Sequence, residues 1–528
     1  MGDVKYMKDN RKVFLAILLI AEILLIVYMA WHWGNNHLCS DNTAELVLAE
    51  LLNREGGILS KNWYYSTELR VLNTQLVMAP LFRFFSDWHV IRAVGTGILL
   101  VILLLSWIFL CRSLSLGKYL IYLSPLILWP FSGMYMGFVL FGLYYIPHLV
   151  ILFISLGLCL NNFQKLKNLR LLLLVIIAFI AGLGGIRMVV VCYLPLFAAT
   201  VFSVIPFFRS KGGTFKNPLY KSFLALAASF AGLFINNTIL VELYSFITMV
   251  PTHLSLPHWE RLPSVLKSVP FFLGAVRPVF SFSNIIVDLM VLLLCLLIAC
   301  MSVRLVLHWK SLSQETHMLL LLFLFSFLIT AFSPIISTQC WSNRYIILPA
   351  IGYLVIIAAY MDQFKLDNPK ISKSICALIL IASLFTGFNQ CFSFARSKRL
   401  PQSEAAYSFI INSGMEFGFG DWDTSDLLTE LSNGRIRLCK IVSFKNMDPW
   451  YWLMEKDFQK YAKGKPVFLI MNNGRLTYNG GIPHLWGKWT KNDLAYLDAG
   501  QIVFQDNHYT VWRYETYEQL EQLVGKRF

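Results

Sequence analysis

Long uninterrupted apolar segments constrain the fold of this chain more than any other feature. The first covers residues 12–33, and ten more follow between residues 90 and 392. A helix of about 20 apolar residues crosses ~30 Å of hydrocarbon, where every backbone polar group must be satisfied within the helix. Only 14% of the 528 residues are charged, against about a quarter in an ordinary soluble protein. The chain is therefore predicted to be a polytopic α-helical membrane protein with about 11 transmembrane helices.

The predicted spans are separated mostly by short loops that hold many of the charged residues. Residues 118–133 and 170–184 are short for a complete crossing, and the adjacent Gly184 and Gly185 indicate a break in the helix there. The predicted spans cover residues 12–33, 90–111, 118–133, 145–161, 170–184, 188–207, 222–244, 284–304, 317–333, 345–361 and 374–392.

The formal charge of +15 is concentrated in alternate loops. Lys and Arg side chains cluster at residues 112–118, 165–170, 209–221, 304–310 and 365–373. Positively charged loops stay on the cytoplasmic side of a membrane, so this pattern favours a topology signal over nucleic-acid binding. It predicts a cytoplasmic N-terminus and places residues 34–89, 245–283 and 334–344 outside.

Residues 393–528 differ in composition from the rest of the chain. Short apolar runs such as KPVFLIMNNG alternate with turn signals and with helix-like stretches such as DTSDLLTELSNG. An odd number of spans places this segment outside as well. The sequence therefore predicts a transmembrane domain over residues 1–392, with a long first outer loop at 34–89, and a small extracytoplasmic α/β domain over residues 393–528.

The segment CSDNTAELVLAELLNREGG, residues 39–57, directly follows the first apolar segment. It predicts an amphipathic helix, and a second helix is predicted over residues 67–85, both on the outer membrane surface. Asn42 and Glu45 have capping-box spacing, which frees Asp41 from capping, although a cap remains its alternative role. Asp41, Glu45 and Glu68 are acids that can deprotonate a hydroxyl or hold a divalent metal.

This layout resembles the GT-C class of membrane glycosyltransferases, and most of all the bacterial members related to the protein mannosyltransferase and aminoarabinose transferase families. The likeness covers most of residues 1–395: a cytoplasmic N-terminus, an acid directly after the first span, two helices in the first outer loop and around a dozen spans. The family also has an extracytoplasmic C-terminal domain. Family members often carry two acids at this place, whereas here Asn42 follows Asp41, so Glu45 or Glu68 would supply the second carboxylate.

The resemblance implies a chemistry for these residues. GT-C enzymes transfer a sugar from a polyprenyl-phosphate donor in a single displacement that inverts the anomeric centre. Asp41 would then be the base for the acceptor hydroxyl, or would position that hydroxyl through a divalent metal such as Mg or Mn. The implied partners are the lipid-linked donor, a glycan, lipid or protein acceptor, and the membrane lipids, with no nucleic acid.

Two arginines at outer ends of predicted spans are candidate ligands for the donor phosphate. Arg187 follows the glycine pair in GLGGIRMVVVCYLP, and Arg344 precedes Tyr345 in STQCWSNRYIILPA. An ionisable residue between apolar segments is costly unless it faces a cavity or a partner, and Arg binds phosphate oxygens bidentately. The family often has an Arg-Tyr step near the donor phosphate, which implies this role for Arg344 and Tyr345. Arginines that anchor a helix end by snorkelling are the alternative.

The outer loop at residues 245–283 offers candidates for a substrate entrance. His258, Arg261 and Arg277 carry the polar chemistry, although a solvated loop is the favoured interpretation. For Tyr144, Tyr145 and His148, near the outer end of another span, helix packing is favoured over a cavity role. The DWD triplet at residues 421–423 is interpreted as a surface turn.

The resemblance implies an inverting, polyprenyl-phosphate-dependent glycosyltransferase in a plasma membrane. The N-x-S/T sequon at residues 236–238 lies in an apolar span, which leaves the outer loops and tail without an N-glycosylation site and favours a bacterial membrane. A transporter or lipid flippase for cell-envelope glycan precursors is the alternative, because transporters also use broken helices. A non-catalytic assembly or binding protein is a third hypothesis.

Overall fold

A computed structural model of the protein provides the fold. It describes residues 2–69, 71–160, 167–205, 216–246, 253–275, 282–364, 369–397, 403–444, 447–473 and 496–525. The predicted entrance residue Arg277 lies outside these ranges.

Seven described helices are long and apolar enough, by length and composition, to cross a membrane. They are Asn10–His37, Trp88–Ser113, Pro218–Leu243, Ile285–Leu307, Gln314–Phe332, Asn343–Phe364 and Ser374–Arg396. Three shorter apolar helices accompany them, Ile146–Leu160, Asn168–Leu183 and Ile186–Phe202. These ten helices coincide with ten of the eleven predicted spans, and the chain is a multi-pass membrane protein.

The remaining predicted span, residues 118–133, is not one continuous helix. It consists of the short helical turns Gly117–Leu120, Ile121–Leu123 and Pro125–Leu128, and Gly133–Tyr135 follows. Pro125 and Pro130 each lack a backbone N–H and oppose a regular helix here. Apolar composition alone does not reveal such a break.

Glycines allow one close helix crossing and form the predicted break. Helices Lys167–Leu183 and Lys216–Ile235 touch so closely that a Cβ on Gly182 would lie 2.1 Å from the Ser229 carbonyl oxygen. Small residues allow such close contact between membrane helices. The chain then turns at Gly185, whose φ of 126° favours glycine, and Ile186 begins the next helix. The break predicted at the glycine pair is therefore present.

The predicted first outer loop contains a buried helix, Ser40–Glu55, here called the outer-loop helix. Its N-cap is Cys39, and the Asn42 side chain accepts a hydrogen bond from the Cys39 backbone N–H at 2.9 Å. Asp41 lies in the first turn without capping, as predicted, but the predicted capping box of Asn42 with Glu45 is wrong. Cys39 is the N-cap, Asn42 is the third helical residue, and the Glu45 carboxylate binds Thr74 instead. The helix packs between Gln75–Leu81 and Trp422–Leu431 and is buried along most of its length, so it is not simply an exposed surface helix.

The second helix of this loop is shorter than predicted. It covers Gln75–Leu81 instead of residues 67–85, and Glu68 lies in the irregular segment before it. The Asn73 side chain accepts a hydrogen bond from the Thr74 N–H at 2.8 Å. Such local side-chain bonds compete with helical hydrogen bonding, which accounts for the later start.

The C-terminal part, here called the tail domain (the described parts of residues 403–525), is built on a mixed sheet. Nine described strands occur in the chain: β1 Trp63–Tyr65, β2 Ser245–Phe246, β3 Phe417–Gly420, β4 Arg437–Ser443, β5 Asp448–Pro449, β6 Met454–Glu455, β7 Val467–Asn472, β8 Gln501–Gln505 and β9 Tyr509–Tyr514. Six of them form one sheet in the order β5-β4-β3-β7-β9-β8, with β3 parallel to both neighbours. Its helices are Glu404–Asn412, Trp422–Leu431, Phe458–Ala462 and Tyr517–Val524.

Several contacts join the tail domain to the rest of the chain, and two of them involve whole secondary-structure elements. Strands β2, β1 and β6 form a small sheet from two outer loops and the tail domain. Helix Trp422–Leu431, here called the tail helix, packs on the outer-loop helix. The predicted fold class, a helical membrane protein with a small C-terminal α/β part, is confirmed. The division at residue 392 stays a prediction, and helix Pro369–Arg396 continues past it.

The DWD triplet has a different setting from the predicted surface turn. The preceding FGFG sequence is the buried strand β3, and a Cβ on Gly418 would lie 2.5 Å from the Phe468 ring. Asp421 is buried and caps the tail helix by accepting a hydrogen bond from the Thr424 N–H at 3.0 Å. The triplet therefore joins a central strand to the tail helix.

Candidate functional site

Asp41 and Arg344 form an ion pair although 303 positions separate them. Arg344 Nη1 donates a hydrogen bond to Asp41 Oδ2 at 2.9 Å, and the same nitrogen donates to the Tyr144 hydroxyl at 2.8 Å. The two charged side chains are 35% and 30% exposed, respectively. Arg344 Nε is buried and has no hydrogen-bond partner among the described residues. The guanidinium therefore keeps one donor for a further acceptor.

A second ion pair joins Glu68 and Arg187. Arg187 Nε lies 2.6 Å from Glu68 Oε1, and His148 Nε2 lies 3.8 Å from the other carboxylate oxygen. The Arg187 guanidinium also lies over the Tyr145 ring, 5.3 Å from its centre. Burial alone would raise the pKa of Glu68, but the charge of Arg187 and the His148 contact outweigh it and lower the pKa to about 2.

Two consecutive tyrosines connect these ion pairs. Tyr144 binds Arg344 and Tyr145 contacts Arg187, and the two rings lie 5.1 Å apart. The charges of the two arginines are close enough to interact. We call this group the arginine–tyrosine cluster, and it comprises Asp41, Glu68, Tyr144, Tyr145, Arg187 and Arg344. It joins the first outer loop to the ends of three apolar helices.

Local sequence explains how the tyrosines reach the cluster. Leu143 has a φ of 66°, an uncommon left-handed conformation that turns the chain just before helix Ile146–Leu160. The Tyr144 N–H donates to the Gly142 carbonyl within this turn at 2.8 Å. The tight turn presents both rings at the start of the helix.

A small cavity opens beside Arg187. Its volume of about 30 Å³ has room for one or two water molecules. The wall residues that carry polar side chains are Glu68, Asn73, His148 and Arg187. A larger ligand therefore requires the ion pairs around the cavity to separate.

The other predicted acid has a different neighbour. The Glu45 Oε2 atom accepts a hydrogen bond from the Thr74 hydroxyl at 2.6 Å in a buried contact. Asp41 and Glu45 share one helical face by spacing, but the Thr74 bond holds Glu45 at the packed side of the outer-loop helix. Its predicted catalytic role stays a prediction.

Tyr345 lies at the edge of the cluster. It belongs to the turn Asn343–Ile346, its ring lies 5.9 Å from Trp341, and it interacts electrostatically with Tyr145. Tyr345 directly follows Arg344 in the chain, and its predicted role at the donor phosphate stays a prediction.

Of the predicted entrance residues that the structure describes, Arg261 joins its loop to residues 334–339, and His258 contacts Glu260 within its own loop. Arg261 Nη1 donates to three backbone carbonyls, those of Pro334, Ser337 and Gln339, at 2.8–3.0 Å. His258 forms an exposed contact with Glu260 at 2.9 Å. A role for these side chains at a substrate entrance stays a prediction.

Sequence reasoning missed part of the cluster. Tyr144, Tyr145 and His148 were assigned to helix packing, yet all three contact its ion pairs. The sequence feature that could have revealed these residues is their grouping, since three polar side chains lie together at the start of an apolar segment. Within the described ranges, no group of three or more His, Cys, Asp or Glu side chains is placed to hold a metal ion, and a divalent metal at Asp41 stays a prediction.

Comparison with known proteins identifies the fold. No family model matches the chain. No curated protein matches it either. Among solved structures, ArnT from Cupriavidus metallidurans in the apo state is similar with a TM-score of 0.56 and 12% identity, over 98% of this chain and 100% of that chain.

An oligosaccharyltransferase from Archaeoglobus fulgidus, solved with Zn and sulfate, has a TM-score of 0.48 and 12% identity, over 90% of this chain and 70% of that chain. The likeness to ArnT shows that this chain has the GT-C fold, and the resemblance inferred from the sequence is confirmed at that level.

Proposed function

We propose that the protein is an integral-membrane glycosyltransferase that moves a sugar from a polyprenyl-phosphate donor to an acceptor hydroxyl on the extracytoplasmic side. The observation that carries the proposal is the Asp41–Arg344 pair, because it places an acid beside a cation that retains a buried, unpaired N–H. The GT-C fold shared with ArnT supports the same reaction class.

The two arginines would bind the donor phosphate. A guanidinium matches phosphate oxygens with two parallel N–H donors, and a partly dehydrated site strengthens that contact. In the structure, Arg344 forms an ion pair with Asp41, and Arg187 forms one with Glu68. A phosphate entering between them would replace one or both carboxylates, which also provides the space that the small cavity lacks.

Release from Arg344 would make Asp41 available as a base. In the proposed step, the acceptor oxygen forms a bond to the anomeric carbon while its proton passes to a carboxylate oxygen of Asp41. The bond between the anomeric carbon and the phosphate oxygen breaks, and polyprenyl phosphate leaves with the electron pair. Arg344 and Arg187 would stabilise the growing phosphate charge, and a single displacement inverts the anomeric centre.

The predicted metal and the other predicted acids enter the proposal as follows. The proposed displacement does not require a divalent cation such as Mg or Mn. Glu45 and Glu68 would support the site, through Thr74 and Arg187 respectively, instead of acting as bases. The acceptor would be a glycan, lipid or protein hydroxyl at the outer face of a bacterial plasma membrane.

The test uses the full-length protein in nanodiscs and a panel of radiolabelled polyprenyl-phosphate sugars supplied with a membrane-lipid extract. Asp41→Asn should bind undecaprenyl phosphate within about threefold of the unmodified protein but transfer sugar at least about 10²-fold more slowly, as expected when a general base is removed. Asp423→Asn, an exposed acid of the tail domain, is the matched control and should transfer normally.

Full transfer by Asp41→Asn would disprove the role of Asp41. Movement of intact labelled lipid across the bilayer without any sugar transfer would instead support the transporter alternative.

A further inference from the structure

A buried ion pair links the tail domain to the membrane part close to Asp41. Arg92 binds the two oxygens of the Glu430 carboxylate through Nε and Nη2, and each side chain is only 5% exposed. Arg92 Nη2 also donates to the Asn42 carbonyl oxygen at 3.1 Å. The tail helix thereby reaches, through Arg92, the residue that follows Asp41.

The residue before Asp41 is held by the same tail helix. The Ser40 hydroxyl donates to the Trp422 carbonyl oxygen at 2.6 Å. Trp422 begins the tail helix and Glu430 lies near its end, so the helix fixes the backbone on both sides of Asp41.

A cation of the tail domain completes the arrangement. Lys440 is fully buried, contacts Asp426, and lies 4.5 Å from the centre of the Trp422 ring. Its charge also interacts with that of Asp41. Asp41 thus lies in the combined field of Arg344 from the membrane part and Lys440 from the tail domain.

We propose that the tail domain positions Asp41 for the reaction, with Glu430 acting through Arg92 and the Asn42 carbonyl, and with Trp422 acting through Ser40. This proposal rests on the proposed function. None of these residues touches the reacting atoms, so they are positioning residues. A displacement of about 1 Å at a catalytic group can lower the rate about 10²-fold. Contacts that fix both neighbours of Asp41 would therefore preserve the rate by keeping its carboxylate in place.

The test separates positioning from simple stabilisation. Ser40→Ala removes one hydrogen bond, and Glu430→Gln removes one charge of the buried pair. Glu455→Gln is the matched control, because Glu455 pairs with Arg54 and joins the tail domain to the opposite end of the same outer-loop helix. For each variant, kcat and donor KM for the radiolabelled polyprenyl-phosphate sugar and the melting temperature are measured in nanodiscs.

We expect Ser40→Ala and Glu430→Gln to lower kcat at least about fivefold with donor KM within about twofold, while Glu455→Gln keeps its kcat. If Glu430→Gln does not fold, Arg92→Lys replaces it. Unchanged kcat in both variants, or a kcat that falls in step with the melting temperature in all three, would overturn the proposal. Loss of transfer in Asp41→Asn alone would then leave the proposed function standing.

An independent observation concerns the outer loop at residues 253–259. Its backbone is held firmly: the His258 N–H donates to the Ile335 carbonyl at 2.7 Å, and the Ser255 N–H donates to the Ile336 carbonyl at 3.1 Å. Yet Leu254 and Leu256 are 85% and 86% exposed. A fixed loop thus projects two large apolar side chains away from the protein.

The position of this loop indicates what covers those side chains. Its partner segment begins just after helix Gln314–Phe332, which is apolar enough to cross a membrane. Phe332 and Ile336 are 42% and 46% exposed and continue the apolar surface from that helix toward the loop. Burying a leucine side chain in hydrocarbon is favourable because it removes apolar surface from water. We infer that Leu254 and Leu256 insert into the hydrocarbon of the adjacent membrane leaflet.

Photocrosslinking tests this inference directly. A benzophenone amino acid at position 256, in the full-length protein in nanodiscs of phosphatidylethanolamine and phosphatidylglycerol, should form adducts with lipid acyl chains. The same group at Tyr451, an exposed residue of the tail domain, is the control and should form at most a tenth as many. Equal adduct yields at the two positions, or none at position 256, would refute membrane insertion.

Discussion

Replacing Glu68 with Gln should weaken the fold but strengthen phosphate binding. The pKa of Glu68 is lowered from 4.5 to about 2, mainly by the charge of Arg187 against the opposing effect of burial. A difference of about 2.5 pH units at about 1.4 kcal/mol each corresponds to about 3.5 kcal/mol of stabilisation. At roughly 2.1 cal/mol/K of unfolding entropy for each of 528 residues, this loss lowers the melting temperature by about 3 °C.

The same change releases Arg187. Without its carboxylate partner, Arg187 no longer has to exchange Glu68 for a phosphate, so affinity for undecaprenyl phosphate should rise at least about tenfold, or about 1.4 kcal/mol. Thermal unfolding and equilibrium binding in nanodiscs measure the two effects. Glu50→Gln is the control, since Glu50 pairs with Arg54 in the same loop, away from the cluster, and should leave phosphate affinity unchanged.

The pH dependence provides a further check on the same variant. A carboxylate with a lowered pKa stabilises the folded state above its ordinary pKa of 4.5, and this contribution is lost as the pH falls toward 2. The difference in melting temperature between the unmodified protein and Glu68→Gln should be constant from about pH 6 to pH 9 and shrink below about pH 4.5. An unaltered melting temperature together with unaltered phosphate affinity would refute the reasoning.

Three further changes have definite expected outcomes. Gly182→Leu places a side chain against the Ser229 carbonyl, where even a Cβ would lie at 2.1 Å, and should destabilise the protein by at least about 1–3 kcal/mol in thermal unfolding. Asp421→Ala removes the cap on the Thr424 N–H and should cost about 1 kcal/mol, seen as faster hydrogen exchange at the start of the tail helix. Arg344→Lys keeps the charge but loses the planar fork, so undecaprenyl phosphate should bind about tenfold more weakly in an equilibrium titration. A normal value in any of these measurements contradicts the contact assigned to that residue.

The length and spacing of the apolar segments predicted most of the membrane part, because each membrane span depends on local sequence. Residues 118–133 were the exception, since hydropathy does not distinguish a continuous helix from turns broken at Pro125 and Pro130. The second outer-loop helix began late for a similar local reason, the competing bond between Asn73 and Thr74. Boundaries depend on such single hydrogen bonds more than on composition.

The candidate site was predictable only in part. Asp41 and Arg344 each carried a local signal, but their contact spans 303 positions and depends on how the helices pack. Arg92 and Glu430 are 338 positions apart, and neither differs in sequence from an ordinary surface charge. Glu45 shows the converse, because it lies one helical turn from Asp41, yet its Thr74 bond holds the carboxylate at the packed side of the helix.

The most direct test of the central claim is a structure of the full-length protein in nanodiscs with undecaprenyl phosphate bound. The proposed function predicts phosphate oxygens within about 3 Å of guanidinium nitrogens of Arg344 and Arg187. It also predicts that the 2.9 Å contact between Arg344 and Asp41 is opened, leaving Asp41 facing the phosphate site. Phosphate bound elsewhere, with both arginines still paired to Asp41 and Glu68, would contradict the claim.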